Sequence, residues 1–262
     1  MSYPNVIQGS FGQEKVAQST KIGNLPLGTR MVLSDGREFV HARASATALV
    51  AGCLYEGEAG STGAAVIKSL AVSAAAVGAT SVTVTLAGTV LGAGVYDDGY
   101  LFFSAGSSSG SVYKIKSHPA GAATNSTVVV SLADSDILAG EGVAAGTTTA
   151  GLRKNENDKL VLTTADTIGV NSLVGIATRD VTADYYCWMQ KKGVCAALTD
   201  GTLIVGEPVS PSSALAGAVT ICKVAAASTA GVAIVVKQFT RIGYCMSVAA
   251  STEYSLINLN LP

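Results

Sequence analysis

Acid–base or metal chemistry in this chain would run through two histidines, five cysteines and a few paired carboxylates. Histidine titrates near neutral pH and is a common base and metal ligand. His41 falls in an apolar, strand-like run, and His118 stands before Pro119 in a turn. Neither has a second histidine, nor a nearby cysteine or carboxylate, at metal-ligand spacing. Both read as surface or half-buried side chains. Members of a Ser-His-Asp triad need not be neighbours in sequence, but a serine or cysteine nucleophile has only these two imidazoles to call on.

The cysteines are Cys53, Cys187, Cys195, Cys222 and Cys245. Their number is odd, their spacing wide, and no C-x-x-C occurs. They read as reduced thiols that serve as small core hydrophobes. Cys187 and Cys195 have a spacing that would let them face each other across a hairpin, although a disulfide there is not favoured. Asp97-Asp98-Gly99 reads as a turn, and Asp134 and Asp136 as a strand end, because a calcium loop needs further ligands at alternating positions. Residues 106–114 are Gly- and Ser-rich, but the phosphate-loop order of a glycine, four residues and Gly-Lys-Ser/Thr is missing. A hairpin loop is expected there. Trp188, the single tryptophan, lies in the hydrophobic run Y-Y-C-W-M-Q and reads as a core anchor. No catalytic residue, metal ligand or cofactor-binding residue is assigned.

The elements that would position these residues are strands. Asp35-Gly36 sits between two β-rich runs within residues 29–42, and Asp-Gly supplies the positive φ a tight hairpin needs. Short apolar or alternating runs follow at 81–86, 99–104, 111–117 and 127–132. More are expected at 160–163, 173–179, 185–190, 194–198, 202–205, 219–224, 231–236, 244–248 and 254–259. Lys192-Gly193 and Asp200-Gly201 mark turns, so residues 185–205 read as a three-strand meander. No long segment has a helical period. The fold class is all-β, with β-barrel or sandwich domains, an extended N-terminal arm and little helix. Small-residue breaks at 60–63 and 140–151 suggest an arm over 1–20, a main β domain from 21–63 plus 155–262, and an inserted β domain over 64–154.

Lys and Arg number 17 against 18 Asp and Glu, a net charge of −1. Nothing here attracts a polyanion, so a nucleic-acid partner or an anionic membrane surface is not expected. Charged residues make up 13% of the chain, about half the usual share of roughly 25%. So few charges defend a surface poorly against association. Residues 69–96 carry no charge and are long enough to cross a bilayer. Their alternation, S-V-T-V-T-L over 81–86, marks a strand and not a lipid-facing helix. The start of the chain lacks the basic stretch and apolar run of a secretory signal.

Three segments together resemble the decoration, or cement, proteins of tailed-bacteriophage heads. They are L-P-L-G-T-R-M-V-L-S-D-G-R-E-F-V-H-A (25–42), V-G-A-T-S-V-T-V-T-L with D-G-Y-L-F-F and V-Y-K-I-K-S-H-P (77–119), and V-G-I-A with Y-Y-C-W-M-Q-K-K-G-V-C-A-A-L-T-D-G-T-L-I-V-G-E-P-V (174–209). The tail S-T-E-Y-S-L-I-N-L-N-L follows. The resemblance implies a non-enzymatic virion protein, assembled in the host cytoplasm, that binds the outside of the capsid. It implies the major capsid protein as partner, a homotrimer at the junctions of capsid subunits, and no cofactor. On that reading the arm orders on binding, and its large apolar residues Val6, Ile7 and Phe11 are the anchors. Deleting residues 1–20 is then expected to abolish capsid binding and leave the fold intact. A tail or head-fibre protein is the main alternative, and a host-glycan binding module is a further one.

Overall fold

A computed structural model describes residues 6–58, 65–88, 90–122, 124–133, 138, 142–164, 172–222 and 241–262, without the side chain of Thr124. The fold is all-β, with 48% strand and 3% helix. Among the described residues the named helical elements are two 3-10 turns, Gln13–Lys15 and Ile22–Asn24. The chain divides into two compact units, one of Ala59–Glu156 and one of Pro4–Glu58 with Asn157–Pro262. Among the described residues no helix is long and apolar enough to cross a membrane.

The first unit is built on alternation. The run S-V-T-V-T-L lies in a strand, Ser81–Ala87, whose Val82, Val84 and Leu86 are fully buried while Ser81, Thr83 and Thr85 are half-buried on the other face. Each such apolar side chain contributes about 1.5–3 kcal/mol on full burial. Its partner is Thr124–Leu132, with Val82 opposite Val130 and Val84 opposite Val128. Val66–Val72, Tyr100–Ala105, Val112–Ser117 and Thr149–Arg153 complete a closed six-stranded barrel. Closure leaves no unpaired edge. Residues 149–151, placed by composition in a flexible boundary, instead begin the strand that closes the barrel by pairing on both sides. Two ladders of hydrogen bonds override the loop-like Gly/Ala/Thr composition. Residues 60–63 and 140–141 of the expected boundaries, Asp134 and Asp136, and the expected strand at 231–236 lie outside the described residues.

The second unit is an 11-stranded sheet. Its path uses β1 (Val6–Gln8), β2 (Arg30–Val32), β3 (Glu38–Arg43), β13 (Tyr186–Leu198), β17 (Tyr254–Asn260), β16 (Gly243–Ser247), β14 (Pro208–Pro211) and β15 (Val219–Ile221), in that spatial order. The numbering follows the chain: β4 (Leu54–Glu56), β11 (Val161–Leu162) and β12 (Leu173–Ala177) branch from this path, and β5 to β10 are the six barrel strands. The Asp35-Gly36 hairpin forms between β2 and β3. The Gly36 amide donates to the Leu33 carbonyl at 3.0 Å, and Gly36 takes φ +82°, a left-handed value that glycine adopts without strain.

One turn assignment and one strand assignment change. Lys192-Gly193 does not reverse the chain. It lies inside β13, whose first half pairs with β3 and whose second half pairs with β17. The register shifts between Gln190 and Lys192, and Gly193 has φ +88°. A Cβ at Gly193 would lie 2.8 Å from Arg37 Cγ, so glycine serves a bulge and a close approach here, not a turn. The expected strand at 202–205 is a loop that buries Leu203 alone.

Candidate functional site

Both histidines and four of the five cysteines are buried. His41 is fully buried, not at the surface or half-buried as expected, with Nδ1 3.2 Å from the Pro26 carbonyl and its ring 5.3 Å from that of Trp188. His118 is also buried. Its Nε2 accepts from the Tyr96 amide at 2.9 Å, which leaves Nδ1–H to donate to the Pro119 carbonyl at 2.9 Å. Both imidazoles are enclosed because neighbouring loops fold over them, which local spacing does not reveal.

All five cysteines are free thiols. Cys187 and Cys195 both sit on β13 and belong to different core clusters, so they do not face each other across a hairpin. Burial pushes both thiols up to about 12, far from the reactive thiolate. Asp97-Asp98-Gly99 is a turn, in which the Gly99 amide donates to the Tyr96 carbonyl at 2.9 Å. Among the described residues no group of three or more His, Cys, Asp or Glu is placed to hold a metal ion.

Gly106-Ser107-Ser108-Ser109-Gly110 does spell the G-x-S-x-G pattern of a hydrolase elbow, which needs a strand followed by a helix. Here strands flank it on both sides, in a hairpin between Tyr100–Ala105 and Val112–Ser117. In the same barrel a cleft of about 570 Å³ is lined by Val66, Val90, Leu91, Tyr96 and other apolar residues, with Lys68 as its one charged group.

The arm, by contrast, forms an organised surface. From Val6 onward it is laid along the edge of its own sheet. β1 pairs in parallel with β2, with Val6, Ile7 and Gln8 opposite Arg30, Met31 and Val32. Gly9 passes so close to Met31 that a Cβ there would lie 2.6 Å from Met31 Cγ. Ile7 packs into a cluster with Met31, Leu33, Phe39 and Trp188, and Trp188 is 4% exposed. Trp188 is thus the core anchor under the arm.

Residues 10–18 are tied down polar group by polar group. The Gln13 side chain accepts from the Ser10 amide at 2.9 Å, and buried Glu14 accepts from the Gly12 amide at 2.6 Å. Arg179 Nη1 donates to the Lys15 carbonyl at 2.6 Å. Gln18 and Tyr186 exchange backbone bonds of 3.1 and 2.8 Å.

On this fixed platform two of the expected anchors project outward. Val6 is 46% exposed and Phe11 64% exposed. The Arg37 guanidinium lies 5.9 Å from the Phe11 ring centroid and 5.7 Å from that of Phe39, and its Nε bonds Asp35 at 2.6 Å. β1 ends the sheet path, and among the described residues it pairs with β2 alone. An open strand edge offers backbone donors and acceptors to an incoming strand. The structure therefore leaves Val6 and Phe11 exposed at separate points along the arm and turns Ile7 inward. Arg37, which the sequence did not single out, holds Phe11 in place.

No protein-family model matches the chain, and neither a curated protein nor a solved structure matches it.

Proposed function

We propose that this chain is a structural protein of a tailed-phage virion that binds the outer surface of the capsid and stabilises the shell. The observation that carries the reading is that Val6 and Phe11 are both exposed along a tied arm whose strand, β1, ends the sheet path. An exposed aromatic on a rigid platform loses little conformational freedom on binding, which favours it as an interface anchor. An edge strand adds backbone hydrogen bonds to a partner of extended conformation. The partner is the major capsid protein. Repetition of the contact over a capsid lattice makes modest single-site affinity sufficient. The segments that resemble phage decoration proteins support the same reading.

The test uses capsids assembled without this protein. The full chain is mixed with them and the particles are pelleted. Co-sedimentation that saturates, together with a shell that survives higher temperature, is expected. Protein that stays in the supernatant contradicts the proposal.

A further inference from the structure

A second surface of the same unit carries its own signal. In the three-stranded stretch β13–β17–β16, Cys195, Ile257 and Cys245 line up across the register and are buried in one core. The residues between them point to the opposite face. There Val194 is 40% exposed, Leu256 40%, Tyr254 50%, Tyr244 39% and Met246 39%. An antiparallel sheet with one wet face ordinarily alternates apolar-in with polar-out. Here both faces are apolar. Ala196, Leu198, Asn258 and Asn260 on the same side carry no charge, and Lys192, opposite Asn260 at the end of the ladder, is ion-paired with Glu38 at 3.6 Å. The polar atoms on the face satisfy each other, since Asn258 Nδ2 donates to Tyr244 Oη at 2.8 Å.

Further exposed apolar residues flank the strands. The Gly206 amide donates to the Cys245 carbonyl at 2.8 Å, and the Cys245 amide to the Glu207 carbonyl at 3.0 Å. That pair holds Ile204 and Val205, 58% and 60% exposed, beside β16, and Val248 at its end is 47% exposed. At roughly 200 Å² per large side chain, the eight residues expose on the order of 700 Å², above the 300–600 Å² of the largest patch on an ordinary monomer.

We infer that this face is buried against the same face of a second copy of the chain. Three properties point to that occupant. The area is close to the roughly 800 Å² per partner of a stable interface. The only charge on the described ladder, Lys192 at its end, is paired with Glu38, so the middle of the face offers no charge pattern for a charged partner to read, and it complements itself without a matching patch elsewhere. It is a twisted sheet surface, and two such surfaces pack at about 10 Å with strands near 30° to form a core. The inference stands apart from the capsid reading. A two-fold pair also differs from the trimer that the resemblance implies, so the mass decides between them.

The test needs only the purified full chain. Its mass is measured by sedimentation equilibrium over micromolar concentrations, alongside Leu256→Asp and Leu256→Lys. Leu256 sits on the middle strand of the face and is exposed, so the fold is expected to survive, and far-UV circular dichroism checks it. Wild type is expected to weigh as two chains. Either substitution is expected to weaken pairing by roughly 30-fold or more, as loss of an interface anchor does. An equimolar mixture of the Asp and Lys variants is expected to recover the two-chain mass, which a merely misfolded variant does not do. A wild-type mass of one or three chains, or an assembly that both substitutions leave intact, overturns the inference.

Discussion

The guanidinium of Arg37 stands 5.9 Å from the centroid of the Phe11 ring, with Phe39 5.7 Å away from the same group. A cation beside an exposed ring favours the rotamers that keep the contact, by about 0.5–1 kcal/mol. The arm's outward anchor is therefore preorganised before any partner arrives.

Replacing Phe11 with Ala removes the anchor and nothing from the core. Capsid binding is expected to weaken by about 2 kcal/mol, roughly 30-fold, with the melting temperature unchanged. A binding isotherm on capsids lacking the protein measures it. Arg37→Ala is expected to weaken binding in the same direction and also to lower stability, because Arg37 packs against Phe39 and Gly193.

The inward anchor behaves differently. Ile7 is half-buried against the Met31–Phe39–Trp188 cluster, so Ile7→Ala is expected to cost about 1–2 kcal/mol of stability. Deleting residues 1–20 uncovers that cluster. Trp188 is the single tryptophan, so its emission is expected to shift to the red on deletion. The same experiment tests the expectation from sequence that the arm can be removed with the fold intact.

Acid is expected to loosen the sheet at β2–β3–β13. Burial raises the Glu38 carboxyl, but its bond to Arg30 and the charges of Arg30 and Lys192 outweigh that and hold it below the ordinary value of 4.5. A carboxyl lowered in the folded state stabilises the protein above its unfolded value. That contribution is lost as pH falls below about 4.5 and through the lowered folded value. The pair is partly exposed, so the effect is about 0.5 kcal/mol. Denaturant midpoints at neutral pH and in acid are expected to differ less in Glu38→Gln than in wild type.

Thiol labelling separates the cysteines. Cys222 is half-exposed, whereas Cys187 and Cys195 are buried with thiols pushed up to about 12. A thiol-specific reagent near neutral pH is expected to modify Cys222 in the native protein and to reach Cys187 and Cys195 on unfolding. Peptide mass mapping reads the order.

Local signals were legible in the sequence wherever one strand's own pattern decides its face. The alternation at 81–86 and the Asp35-Gly36 hairpin are of this kind. Lys192-Gly193 misled because a positive φ says that the backbone bends and not whether the chain reverses. The answer lay in Arg37, which packs on Gly193 from the β2–β3 hairpin. Residues 202–205 look like a strand by composition and lack a ladder partner, which is a property of the whole sheet. The arm's apolar residues were visible as candidates. That Ile7 turns in while Val6 and Phe11 turn out depends on parallel pairing with β2, which no local pattern announces. The low charge was visible in the composition, but its concentration on one face of β13–β17–β16 needs the register.

Imaging of particles tests the central claim most directly. Capsids lacking the protein are incubated with wild type and with a Val6→Asp, Phe11→Ala variant, and each set is reconstructed by electron cryomicroscopy. Added density on the outer surface of the shell is expected with wild type, with residues 6–18 at the contact, and its loss is expected with the variant. A bare shell with wild type, or density confined to the tail, would contradict a capsid-binding role.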